Sequence, residues 1–120
     1  MKHFSIFLLV IFHLFTKGQD NYYANPVKIP LILSGSFAEL RSNHFHSGID
    51  IKTNGRTGVP VYSVAEGVIT RIVVSPTGFG KAVYIDHPNG TTSVYGHLRA
   101  FRPDIEEYVK DYQYQNQTFR

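Results

Sequence analysis

The 120-residue chain contains no cysteine. Disulfide staples and thiolate metal ligands are thereby excluded, so any metal site must be built from histidine and carboxylate. An excess of one charge is also missing. The formal net charge of +3 shrinks when Lys2 and Lys17 are set aside with residues 1–18, leaving ten basic side chains against nine acidic ones. No electrostatic case for nucleic-acid binding remains. Long apolar runs are absent too. FSIFLLVIFHLF, from Phe4 to Phe15, is twelve residues, where a membrane-spanning helix needs about 20. There is no internal repeat and no low-complexity segment. With 42% hydrophobic and 18% charged residues, the chain suits one compact domain rather than a disordered one.

What is present begins with that apolar run. The positive start Met1-Lys2-His3, the run itself, and Thr16 and Gly18 spaced as small residues before a cleavage point together read as a signal peptide over 1–18. Export to the periplasm, cell envelope or extracellular space follows, with no membrane span after removal. The competing reading is a buried N-terminal helix. Residues 19–34 are expected as an extended arm, since Pro26 and Pro30 disfavour helix.

Beyond the arm, LILSGSFAEL (31–40) reads as a strand and a turn. From Val59 the hydrophobic period is close to two. VPVYSV (59–64) is expected as a strand, Ala65-Glu66-Gly67 as a tight turn, and VITRIVV (68–74) as the next strand. KAVYIDH and TTSVYGHL flank Pro88-Asn89-Gly90, a hairpin signal. Successive hairpins of β-branched residues imply an antiparallel sheet. Ile105, Tyr108, Val109 and Tyr112 recur at helical spacing after Pro103, which suits a first-turn position, as Asp104, Glu106 and Glu107 suit the positive helix end. One amphipathic helix over about 103–115 is expected.

RSNHFHSGID, from Arg41 to Asp50, concentrates His44, His46 and Asp50. On a straight strand, residues four apart stand about 13 Å from each other, too far to share one ion with donors at about 2 Å. Gly48 would relieve this by permitting a bend or a close backbone approach. A turn histidine with a capping aspartate is the alternative at this point. His97, late in the TTSVYGHL strand, shares a face with Tyr95 and Ser93 by alternation, leaving Val94 and Leu98 toward a core. His44 could serve beside the ligands or be purely structural. His87, next to Pro88, reads as surface. Gly78 and Gly80 suit a tight loop, since no helix start follows them to receive a phosphate.

His46-Ser47-Gly48-Ile49-Asp50 resembles the His-x-Gly-x-Asp motif of the lysostaphin/LytM-type zinc endopeptidases, which cut peptidoglycan cross-links. GVPVYSVAEGVITRI resembles that family's following strand pair, and GFGKAVYIDHPNGTTSVYGHL its next hairpin, ending in Tyr-x-His-Leu. The resemblance runs in order from about Gly35 to Leu98. It implies a mainly β fold, an antiparallel sheet or sandwich with a groove over the sheet, here carrying one helix near its end. It implies Zn²⁺ held by His46 and Asp50, His97 as a catalytic histidine, and a peptidoglycan peptide as substrate. Such zinc activates water and polarises a carbonyl, while a histidine moves protons.

The family's third ligand and second catalytic histidine lie in a late His-x-His motif, and no histidine follows His97. Residues 35–120 are therefore expected to be a partial domain, incomplete at the C-terminus. The rival is a degenerate LytM-like module that binds peptidoglycan or regulates another hydrolase, against which the retained His46, Asp50 and His97 argue. A lipoyl-like carrier is disfavoured, because Ala65-Glu66-Gly67 stands where the hairpin-tip lysine would be.

Overall fold

The computed structural model describes residues 21–119; the expected signal peptide over 1–18 lies outside them. Among the described residues the fold is mainly β, with two antiparallel sheets and one helix. Strands β1 (Leu33–Gly35) and β2 (Asp50–Ile51) form a two-stranded sheet. Strands β3 (Val68–Val74), β4 (Lys81–Asp86) and β5 (Thr92–Leu98) form an antiparallel meander in that order. Helix α1 (Pro103–Asn116) follows.

The β4–β5 hairpin closes through His87 N–H to the Thr91 carbonyl, 2.8 Å, and Gly90 N–H to the His87 carbonyl, 2.9 Å. Gly90 has φ 82°, a left-handed value that glycine adopts without a Cβ clash. Among the described residues, the buried apolar ones are Val27 of the arm, Ala82 and Val83 of β4, and Phe101 before the helix. The core therefore centres on the middle strand.

Residues 59–64 do not form the expected strand, and the reason is backbone chemistry. They run antiparallel to the arm, with Tyr62 N–H donating to the Pro26 carbonyl at 2.8 Å and Ala24 N–H to the Val64 carbonyl at 2.6 Å. Neither bond is reciprocated. Pro26 has no N–H to return, and Val64 N–H donates instead to the Tyr95 phenol oxygen, 2.8 Å. A ladder with half its bonds missing is an extended pair, not a sheet.

His87 is not a surface residue. It is 5% exposed, with Nδ1 2.7 Å from the Glu66 carbonyl and Nε2 2.9 Å from Ser93 Oγ. Alternation along β4 explains this, because Val83, Ile85 and His87 share one face. Tyr22 and Tyr23 stand edge-on to its ring. Tyr23 is fixed in turn by Thr91 Oγ1 at 2.7 Å and Asn89 Nδ2 at 2.9 Å, and these bonds, Thr91 first, lower its pKa.

Helix α1 starts as expected, with Pro103 in its first turn and Asp104 and Glu106 at the positive end. A fork from Arg102 holds the Asp104 carboxyl at about 2. Glu106 fastens the helix to the sheet by accepting from Lys81 Nζ at 2.5 Å and Phe101 N–H at 3.0 Å. Of the apolar stripe, Ile105 and Val109 are half-buried, whereas Tyr108 and Tyr112 are 63% and 51% exposed. Among the described residues no helix is long and apolar enough to cross a membrane.

Candidate metal centre

Three local features assemble the site. The chain leaves β1 through a turn at 36–39, closed by Glu39 N–H to the Ser36 carbonyl and by Glu39 Oε2 accepting from Ser36 N–H, 3.1 Å. It then doubles back as a small hairpin, with Ala38 N–H to the His46 carbonyl at 2.7 Å, His46 N–H to the Glu39 carbonyl at 2.8 Å and Arg41 N–H to the His44 carbonyl at 2.9 Å. Finally, β2 pairs Asp50 with Gly35. His46 and Asp50 thus flank a bend and return to the same place.

The result is a His–Asp pair with His46 Nε2 3.3 Å from Asp50 Oδ1. His46 Nδ1 lies 3.0 Å from the Ser36 carbonyl oxygen. A carbonyl only accepts, so Nδ1 carries a proton, and it is the neutral form of this tautomer that presents a lone pair from Nε2 to Oδ1. Arg41 Nη2 also lies 3.4 Å from Nδ1. That contact cannot be a donated bond to a protonated nitrogen, and the shorter carbonyl contact defines the tautomer. Two lone pairs facing each other require a cation or a proton between them.

This donor set fits zinc. Two donors each about 2.1 Å from an ion, at the tetrahedral angle, stand about 3.4 Å apart, against the 3.3 Å found here. Nitrogen and carboxylate oxygen are both zinc donors, and the Nδ1–H bond to a carbonyl is the arrangement that orients ligating histidines. Among the described residues, no group of three His, Cys, Asp or Glu side chains forms a cluster that could hold a metal.

The other sequence-derived candidates fall elsewhere. His44 is exposed and its Nδ1 pairs with the neighbouring Asn43 Oδ1 at 2.6 Å, away from the pair. Gly48 sits at the bend, but its backbone is not in the left-handed region and a Cβ there would meet nothing within 4 Å. Gly35 carries the constraint instead, since its Cβ would fall 2.5 Å from Asp50 Oδ2 and 2.6 Å from Arg41 Nη2.

His97 does not follow simple alternation. The register slips by one between Lys81↔Leu98 and Val83↔Tyr95, a bulge that takes in Gly96 and His97, and His97 has φ 55°. Val94 is correspondingly 44% exposed rather than in a core. The bulge leaves His97 exposed, its N–H bonded to the Phe79 carbonyl at 2.8 Å and its ring edge-on to Phe79 at 6.2 Å. Phe79 can lie against β5 there because Gly96 has no Cβ, which would stand 3.0 Å from the ring. A groove of about 640 Å³ between β3 and α1, lined by Ile69, Ile72, Ile105 and Val109 among others, includes none of His46, Asp50 or His97.

Arg41, Ser36 and Gly35 were not singled out by sequence reasoning. Arg41 Nη2 donates to Asp50 Oδ2 at 2.7 Å and lies 3.6 Å from Glu39 Oε2. The one advance signal was its place within the histidine-rich stretch.

Residues 44–114 match the model of peptidase family M23. The match covers more than half of the chain, which belongs to that family. The DD-carboxypeptidase/endopeptidase Mpg of Neisseria meningitidis serogroup B is 42% identical over 62 residues, covering 52% of this chain and 14% of the relative. Mpg of Neisseria gonorrhoeae matches with the same figures. The chain thus spans only a small part of the curated relatives it matches. No solved structure matches it significantly.

Proposed function

We propose that the protein is an exported zinc metalloendopeptidase that hydrolyses peptide cross-links of bacterial peptidoglycan. The observation that carries this reading is the His46–Asp50 pair, with Nε2 and Oδ1 3.3 Å apart and Nδ1 tied to the Ser36 carbonyl. The family is one of peptidases. A DD-carboxypeptidase/endopeptidase name, as the Neisseria relatives carry, denotes cleavage between D-residues, and peptidoglycan peptides contain such bonds.

His46 and Asp50 would hold the zinc. When bound, zinc supplies Lewis acidity that lowers the pKa of water and polarises the scissile carbonyl. His97, exposed on its bulge, would donate or accept a proton at the substrate. A catalytic zinc takes three protein donors and keeps a position open, so the reading requires one donor besides this pair.

Replacing His46 or Asp50 with Ala should sharply reduce zinc retained after dialysis, measured by elemental analysis, and abolish hydrolysis of purified peptidoglycan. Full zinc retention in both variants would reject the assignment. Tight peptidoglycan binding by the unaltered protein, with no hydrolysis when zinc is supplied, would point to a binding module instead.

A further inference from the structure

The two oxygens of Asp50 have different partners. Oδ1 faces His46 Nε2 at 3.3 Å, while Oδ2 accepts from Arg41 Nη2 at 2.7 Å. An isolated carboxylate on a partly exposed aspartate turns freely between equivalent orientations. Here the guanidinium removes that equivalence and leaves Oδ1 as the oxygen turned toward the histidine.

Further observations indicate that this contact is built for position. Gly35, paired with Asp50 across β1 and β2, has room for neither Asp50 Oδ2 nor Arg41 Nη2 if a methyl is added, because both lie within 2.6 Å of the Cβ site. Arg41 Nε is buried without a hydrogen-bond partner among the described residues, so the guanidinium takes its place at Oδ2 while leaving a donor unsatisfied. Glu39 Oε2 lies 3.6 Å from Arg41 Nη2 and is itself held by Ser36 N–H.

We propose that Arg41 is the positioning residue of the metal centre. It binds Asp50 Oδ2 so that Oδ1 alone is presented to the ion, with Glu39 offsetting its charge. The proposal rests on the zinc reading given above. A cation beside a dication opposes binding, but Glu39 Oε2, 3.6 Å from the same Nη2, offsets part of the Arg41 charge. All three side chains are also partly exposed, so solvent weakens the repulsion. Orientation of the ligand therefore outweighs charge. Lys could supply the charge, but its flexible stem and compact ammonium would not hold a single donor at Oδ2 in the place that Nη2 occupies.

The test uses the intact protein and two readouts independent of activity: the zinc dissociation constant, from competition with a chromogenic chelator, and the visible absorption of the cobalt(II)-substituted protein. Arg41→Gln should weaken zinc by about 10- to 100-fold and change the cobalt spectrum. Arg41→Lys should fall between it and the unaltered protein. Glu39→Gln should weaken zinc by a smaller factor, because the charge on Arg41 is then uncompensated. Zinc bound as tightly by Arg41→Gln as by the unaltered protein, or more tightly, overturns the proposal. If Arg41→Gln does not fold, judged by circular dichroism, Arg41→Lys decides: a several-fold loss supports the assignment and unaltered affinity rejects it. His46→Ala separates the two levels. Undiminished affinity in that variant overturns the zinc reading and this proposal together. A loss there, beside full affinity in Arg41→Gln, overturns only the role of Arg41.

Discussion

The imidazole of His87 is inserted beneath the turn that carries Glu66, with Nδ1 2.7 Å from the Glu66 carbonyl oxygen. This bond ties the start of β3 to the end of β4. It continues through Nε2 and Ser93 Oγ to Tyr95 Oη, at 2.9 and 3.0 Å, and on to Val64 N–H. One partly buried polar chain thereby joins the 59–67 segment to both strands of the hairpin.

His87→Ala should destabilise the fold by about 2–4 kcal/mol, since it leaves a cavity together with an unpaired carbonyl. The midpoint of urea unfolding measures this. A change below about 0.5 kcal/mol would mean that His87 is solvated after all.

Gly67→Ala should also destabilise, by about 1–3 kcal/mol. Its Cβ would lie 2.5 Å from the Asp86 carbonyl oxygen and 2.8 Å from His87 Nδ1. In the His87→Ala background the cost should be smaller, because one of the three close approaches has gone, those to the Asp86 carbonyl and to Ile85 Cγ2 at 2.7 Å remaining. A double-mutant cycle reads the difference, and strict additivity would contradict the close approach.

Glu106 links helix docking to pH. The hydrogen bond from Lys81, and then that from Phe101 N–H, hold its pKa below the ordinary value. A carboxyl lowered on folding contributes stability that is complete above the unfolded pKa of about 4.3 and is lost as pH falls through the lower folded value. Amide exchange in α1 should accelerate through that acid window, and Glu106→Gln should flatten the response. At neutral pH the substitution should cost on the order of 1–2 kcal/mol. Identical pH profiles for the two proteins would rule out this anchor.

His97→Ala should leave zinc in place while reducing peptidoglycan hydrolysis by about 100-fold or more. Its position on the β5 bulge, apart from the His46–Asp50 pair, motivates the separation. Zinc content and turnover are measured on the same preparation, and joint loss would make His97 a ligand.

Much of the fold was legible locally. VITRIVV forms β3 over its full expected length, the Pro88-Asn89-Gly90 hairpin joins β4 to β5, and α1 begins at Pro103. In each case the signal lies in neighbouring residues: β-branched runs, turn formers or helical spacing. The strand expected over 59–64 failed because its hydrogen bonds depend on an arm some forty residues away, where Pro26 cannot donate. His87 was misjudged because its neighbour Pro88 outweighed the period of two that places it beside Val83 and Ile85.

For the proposed metal centre, the sequence by itself restricted the donor types, since a chain without cysteine offers only histidine and carboxylate. His46 and Asp50 were the residues to consider, and the ordered run of motifs from about Gly35 to Leu98 carried the resemblance to the family to which the chain belongs. Tertiary structure decided their arrangement. Only the pairing of β1 with β2 and the fold-back of residues 38–46 bring the Ser36 carbonyl to His46 Nδ1 and Arg41 to Asp50 Oδ2. Those contacts are set by register and chain reversal, through-space relations that a linear spacing does not encode.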